Sequence, residues 1–357
     1  MLGFGSAFTE GACTVLSAMS ASARAALLGE VYGPAGLNLS VARSCIGASD
    51  YSTHAFSYDE GSTPDPTLQR FSIAPDRPAV IPVLQELQRE RPDLFLFASP
   101  WSPPAWMKYG GSMLGGSIRP ENLAVYARYI GRYLDAYAAE GVRVQAVTVQ
   151  NEIDADQGGR MPAAAWPQET DSLYMSTHLG PELARRGGRT RMWMLDHNYN
   201  LAGRVLDQLA DPRVNAVVDA VAWHGYVGAP TEMTRVHDAF STKGAHWTEG
   251  GAMVDDPDYL TGWTKWAQTI AGVLNNRAQS FTTWNVALDE HGRPNIGPFT
   301  CGGLVTVRSS DHAVVRTGLY YALGHYARVI ARGDRILASR AVRPELTCVA
   351  AQGREGG

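Results

Sequence analysis

The chain has 357 residues, of which 45% are hydrophobic and 18% charged, with a formal net charge of −4. No uninterrupted apolar run approaches the roughly 20 residues of a membrane-spanning helix, and the length suits one large α/β unit. The arginines are scattered, so no basic stripe marks a nucleic acid as partner.

Periodicity divides the chain into short apolar runs alternating with longer amphipathic segments. The first run, Phe4 to Phe8, lies in "GFGSAF". Its Gly3-x-Gly5 start looks like a dinucleotide fingerprint, but Phe8 stands where a small residue is needed, so a nicotinamide site is excluded. Further strands are expected at Leu39 to Ile46, Leu94 to Ser99 and Gln145 to Asn151. Between the third and fourth, Leu123, Tyr126, Ala127, Ile130, Tyr133, Leu134 and Tyr137 form one stripe. Pro120 precedes that stripe and Gly141 follows it, which predicts a helix. Strands five to eight are expected at Arg191 to Leu195, Ala220 to His224, Ala245 to Thr248 and Ser280 to Asn285. A last helix runs through "RTGLYYALGHYARVIARG". Eight βα units predict a (β/α)8 TIM barrel over residues 1–333, a doubly wound sheet being the rival pattern.

The four cysteines lack the close pairs of zinc or redox sites and read as small core residues. No signal peptide is visible ahead of "GFGSAFTE". The compartment stays open, since a start cut short would be compatible with secretion. Asp255, Asp256 and Asp258 read as a solvated loop rather than a calcium site.

Barrel enzymes place their chemistry at the C-terminal ends of the strands. Here those ends carry Glu10, Asp50, Trp101, Asn151 with Glu152, Asp196 with His197, His224 with Tyr226, Glu249, and Trp284 with Asn285. Glu152 and Glu249, on strands four and seven, are expected to face each other across the barrel mouth. Paired carboxylates beside indoles suit glycoside hydrolysis, in which one carboxyl protonates the leaving oxygen and the other attacks or activates water. The expected separation for attack is roughly 5 to 5.5 Å. The nine histidines include no His-Glu-x-x-His and no tight ligand pair, so neither a metal nor a cofactor is expected. A Gly-x-Ser-x-Gly elbow is also absent.

At this point the chain resembles glycoside hydrolase family 30, the retaining (β/α)8 enzymes that include acid glucosylceramidases. The matching stretches are "GFGSAFTE", "RSCIGASDYS", "SPWSPPAWMK", "GSMLGG", "AVTVQNE", "LDHN", "WHGY", "TEGG" and "TTWNVALDEHGRPN". The resemblance implies that Glu152 is the acid/base, Glu249 the nucleophile and Asn151 the amide beside the reacting centre. It further implies that Asp50, Trp101 and Trp284 line a sugar pocket, that Tyr226 sits beside the nucleophile and that Arg43 lies near the carboxylates as a substrate contact. Arg43 also has the plainer reading of a partner for buried acids, Trp106 that of a wall residue, and His224 that of a structural histidine.

The chain departs from the family pattern in three places. Ile153 replaces the proline of Asn-Glu-Pro, removing a ring that fixes φ beside the acid. Gly225 stands where glucosylceramidases often carry Trp, and the loop "NIGPFTCGGLVTV" lacks an obvious sugar-binding asparagine. The family's β-sandwich is expected to be largely missing, with residues 334–357 as its start, and the helix through "GLYYALGHYARVI" is then expected to expose apolar surface. The function implied is a retaining β-glycosidase acting on a β-linked glucoside, glycan or glycolipid. Glucosylceramidase-like activity, and with it sphingolipid metabolism, leads. β-1,6-Glucanase, β-xylosidase and a catalytically weak carbohydrate-binding barrel are the alternatives.

Overall fold

The computed structural model describes residues 1–339, 341–343 and 346–353. Eight parallel strands close into a barrel in sequence order: β1 Gly3–Phe8, β2 Val41–Ile46, β3 Phe95–Pro100, β4 Ala146–Thr148, β5 Arg191–Asn198, β6 Ala220–His224, β7 Gly244–Glu249 and β8 Ser280–Asn285. Helices cover the outside, so almost every strand residue is buried on both faces and the strands read as near-continuous apolar runs. The fold is the (β/α)8 TIM barrel that the periodicity predicts. The predicted Tyr-rich helix is Leu123–Ala139; Tyr126, Ile130, Tyr133 and Tyr137 are buried. Gly141 follows it at φ 78°, where a side chain would be strained.

Alternation along the strands stacks side chains inside the barrel in layers. At the bottom, Phe95, Trp193 and His246 form an aromatic plug, the indole lying 3.9 Å from the imidazole at 15°. Burial holds His246 neutral, at about 3, with Nδ1 2.8 Å from the Ser280 hydroxyl. Above the plug comes a polar layer of Arg43, Ser99, Thr148, Asp196 and Thr248, and above that opens the cavity described below.

Three register shifts lie near the top, between Leu195 and His197 of β5, between β6 and β7 beside Thr248, and between β1 and β8 beside Trp284. A bulge adds one residue and re-aims the side chains around it. Strand five therefore runs to Asn198, past the expected Leu195.

A small sheet, Ala287–Leu288, Val305–Val307 and Val314–Arg316, extends from β8. The helix expected to expose an apolar face, Gly318–Ala327, instead buries Leu319, Tyr320, Ala322 and Leu323. It packs on helix Trp263–Asn275, to which the Tyr326 hydroxyl donates at the Ala267 carbonyl, 2.8 Å. Exposed apolar side chains on and just after it are Tyr321 and Val329. In the segment expected to start a sandwich, Arg335–Leu337 pairs antiparallel with Ala350–Gln352. Residues 340, 344, 345 and 354–357 of that segment lie outside the described residues. Among the described residues no helix is long and apolar enough to cross a membrane.

Candidate active site

The cavity at the C-terminal face of the barrel has a volume of about 270 Å³. Its lining includes Asp50, Trp101, Asn151, Glu152, Tyr226, Glu249 and Trp284, so seven of the eight sequence-predicted site residues meet in one place. The volume is at the small end for ligand pockets and suits one sugar ring.

Arg43 is the eighth, and the structure corrects its expected contact with substrate. It is fully buried in the polar layer and holds the site from below. One Nη contacts Glu249 Oε2, the other reaches Asn151 Oδ1 and Asp196 Oδ2 at 2.8 Å each, and Nε donates to Ser99 Oγ at 3.1 Å. The guanidinium also lies 4.8 Å from the Trp101 ring and 5.3 Å from Trp284. Those two indoles stack on each other, 5.3 Å apart at 19°. A planar cation with five donors is the side chain that can join two carboxylates, an amide and two π faces at once.

Asp196 anchors this layer. It accepts from Arg43, from Ser99, Thr148 and Thr248 hydroxyls at 2.7 Å each, and pairs with His224 Nε2 at 3.0 Å. Burial pushes its carboxyl up, but the Arg43 charge and the His224 and Thr248 hydrogen bonds outweigh burial and hold it far below the usual carboxylate range.

The two glutamates have different surroundings. Glu249 is gripped by Arg43 and by the Tyr226 hydroxyl, which donates to Oε1 at 3.0 Å. Tyr226 is itself placed by Asn198, whose Oδ1 accepts from the backbone N–H groups of Tyr226 and Val227. Glu152 faces imidazoles instead: His224 Nδ1 lies 3.6 Å and His197 Nδ1 3.8 Å from its Oε1, while Gln157 donates to Oε2. Burial pushes Glu152 up, but His224, His197 and Gln157 together bring it below its ordinary value. Burial alone would lower His224; the Glu249 charge, with Asp196 and Glu152, raises it to about 9. At neutral pH the proton of this pair therefore sits on His224.

Asp50 is pushed well above the carboxylate range, first by burial and then by the charges of Glu249 and Glu152. Its Oδ1 is buried without a hydrogen-bond partner and it lines the cavity, so an unpaired carboxyl oxygen is offered to a ligand hydroxyl.

Ile153, in the place of the proline, is itself anchored beside Glu152. Its side chain is fully buried, and its carbonyl accepts from the Trp166 N–H at 2.7 Å. Glu152 adopts φ 50°, an uncommon conformation fixed by its N–H donating to the Asp196 carbonyl at 2.9 Å. Trp106 does not line the cavity; its indole N–H donates to Asp59. The loop without the expected asparagine supplies Phe299 and Cys301 to the wall. Sequence reasoning passed over Gln157, Asn198 and Met253, which also line the cavity. "LDHN" was visible as a motif, but nothing in it says that Asp196 turns inward.

Glu152, His197 and His224 bring one potential ligand atom each within 4.8 Å of one another. The three residues come from three different strand ends, so no local spacing could reveal them.

A closed barrel whose strand ends aim two differently solvated carboxylates, with amides and stacked indoles, into a ring-sized cavity belongs to the glycoside hydrolase class. Residues 1–330 match the model of the glycosyl hydrolase family 30 TIM-barrel domain, and the chain belongs to that family. It is thus a hydrolase of glycosidic bonds working with retention of the anomeric configuration. It is 30% identical over 350 residues to an endo-1,6-beta-D-glucanase of Neurospora crassa, covering 94% of this chain and 71% of that protein. It is 28% identical over 357 residues to the lysosomal acid glucosylceramidase of Mus musculus, covering 94% and 69%. A solved endo-beta1,6-glucanase superposes with a TM-score of 0.93 at 26% identity, covering all of this chain and 83% of that one.

Proposed function

We propose that the chain hydrolyses β-1,6-linked glucan by double displacement, with Glu249 as nucleophile and Glu152 as acid and then base. The observation that carries the roles is the contrast between the two carboxylates. Glu249 is held by a guanidinium and a phenol, which fix the direction of its carboxylate oxygens. Glu152 adjoins His224, a proton-bearing imidazole 3.6 Å away that can supply the proton Glu152 passes to the leaving oxygen. Attack by Glu249 on the anomeric carbon forms the glycosyl ester as Glu152 protonates the departing oxygen. Glu152 then takes a proton from water, which releases the sugar with its original configuration. Asn151, held by Arg43, and the unpaired Asp50 carboxyl are placed to hydrogen-bond sugar hydroxyls, and Trp101 and Trp284 to meet an apolar sugar face.

The choice of glucan is supported by the two relatives named as endo-1,6-glucanases. Glucosylceramide is the second reading, favoured by the mouse relative and by Met161, Met253 and Phe299 in the cavity lining. The test compares reducing-end release from β-1,6-glucan and from β-xylan with sugar release from glucosylceramide. Preference for β-1,6-glucan, abolished in Glu152→Gln and Glu249→Gln, is the expected result. Faster turnover of glucosylceramide overturns the choice of substrate, and binding without turnover of any of them overturns the hydrolytic reading.

A further inference from the structure

We infer that Glu152, His197 and His224 form a binding site for a divalent transition-metal ion of the zinc class, and that an ion held there switches hydrolysis off. The inhibition rests on Glu152 being the acid/base proposed above; the site itself does not.

The inward nitrogens carry the inference. His197 Nδ1 and His224 Nδ1 are both buried, and neither has a hydrogen-bond partner. Both point at the same atom, Glu152 Oε1, from 3.8 and 3.6 Å, just beyond hydrogen-bond reach. Their outer nitrogens are already engaged: His197 Nε2 lies 2.8 Å from Asp154 Oδ1, and His224 Nε2 3.0 Å from Asp196 Oδ1. A carboxylate behind each imidazole fixes the ring, the usual support for metal-bound histidines, and an entering ion takes the inner nitrogen of His224 by displacing its proton to solvent. Gln157 occupies the other Glu152 oxygen, so Oε1 is the atom left to face the nitrogens.

To bind, the two imidazoles must close in on the ion. Tetrahedral zinc with bonds of about 2.0 to 2.1 Å places its ligand atoms roughly 3.3 Å apart. The two histidine-to-Glu152 separations exceed that by a few tenths of an ångström, and the whole set spans no more than 4.8 Å. Glu152 and His197 line the cavity, so a fourth position opens toward solvent and an ion can enter. Two imidazoles and one carboxylate select zinc or copper over magnesium or calcium, which prefer all-oxygen sites. Bound metal would occupy the Glu152 oxygen that must carry the proton, and turnover would stop.

Calorimetric titration of the whole chain with zinc chloride alone, in a buffer that does not chelate metals, tests the site. One saturable ion per chain is expected. His197→Ala should weaken binding at least 10-fold, Asp154→Asn roughly 10- to 100-fold through the outer carboxylate, and Glu152→Gln should weaken it too. Cys348→Ser, which removes an exposed thiol, should leave affinity unchanged. Thermal melts of each variant establish folding, and the visible spectrum of added cobalt, intense for a tetrahedral site, should vanish with His197→Ala. Affinity untouched in a folded His197→Ala variant, or calcium binding as tightly as zinc, overturns the site. Zinc should also abolish turnover of an aryl β-glucoside, and a chelator should restore it. Zinc bound through His197 with turnover unaffected supports the site and overturns the role given to Glu152.

Discussion

Replacing Arg43 by Met should unfasten both carboxylates at once. Arg43 has no exposed surface and pairs with Asp196 and Glu249, which are likewise buried. Removing one member of a buried ion pair costs roughly 3 to 5 kcal/mol, because the remaining charge has lost its compensation. Asp196 keeps Ser99, Thr148, Thr248 and His224 as partners, whereas Glu249 keeps the Tyr226 hydroxyl. The larger part of the penalty therefore falls at Glu249, and about 3 to 5 kcal/mol is expected in urea unfolding. Loss of the charge-assisted contact to Glu249, worth about 1.5 to 3 kcal/mol, should lower kcat roughly 10- to 150-fold. Arg43→Lys keeps the charge, but a point cation cannot span Glu249, Asn151 and Asp196, so it should recover part of the stability and little of the rate. An Arg43→Met protein within about 1 kcal/mol of the parent would refute the reasoning, since a buried pair cannot lose a partner so cheaply.

A fluorinated activated β-glucoside should leave its covalent adduct on the peptide containing "HWTEGG", and NMR should show the first product with retained configuration; an adduct on "VQNEIDAD" reverses the two roles. The pH dependence of stability should follow His224, whose folded value of about 9 lies above its ordinary 6.5. The folded state binds that proton more tightly, so the stabilisation is complete below pH 6.5 and is lost as pH rises through 9. The fall is on the order of 3 kcal/mol and should be absent from His224→Gln. Gly225→Ala should cost about 1 to 3 kcal/mol, because a Cβ there would sit 2.6 Å from Trp247 Cζ2. A neutral effect in thermal melts would mean that the Trp247 indole moves aside.

The barrel was legible because each strand is buried on both faces, which leaves runs such as Leu94 to Ser99 almost wholly apolar between amphipathic helices. The site was legible because acids and indoles at the C-terminal ends of such runs have few other reasons to be there. Depth and direction were not, and the bulges are the reason. In β5, Trp193 packs inside the barrel and Met194 outside, so strict alternation would point Leu195 inward and Asp196 outward. The shift between Leu195 and His197 reverses this: Leu195 joins the outer core and Asp196 becomes the anchor of the polar layer. In β7, Trp247 belongs to the outer core, so alternation would bring Thr248 in and send Glu249 out. The extra residue beside Thr248 lets both face inward, Thr248 to Asp196 and Glu249 to the cavity. Glu249 thus stands at a position that parity would reject and is found only because a carboxylate at a strand end was weighed by residue type. Asp196 had the same credentials, but its partners Arg43, Thr148 and Thr248 lie on three other strands. An inward turn sustained by long-range hydrogen bonds has no local periodicity to announce it.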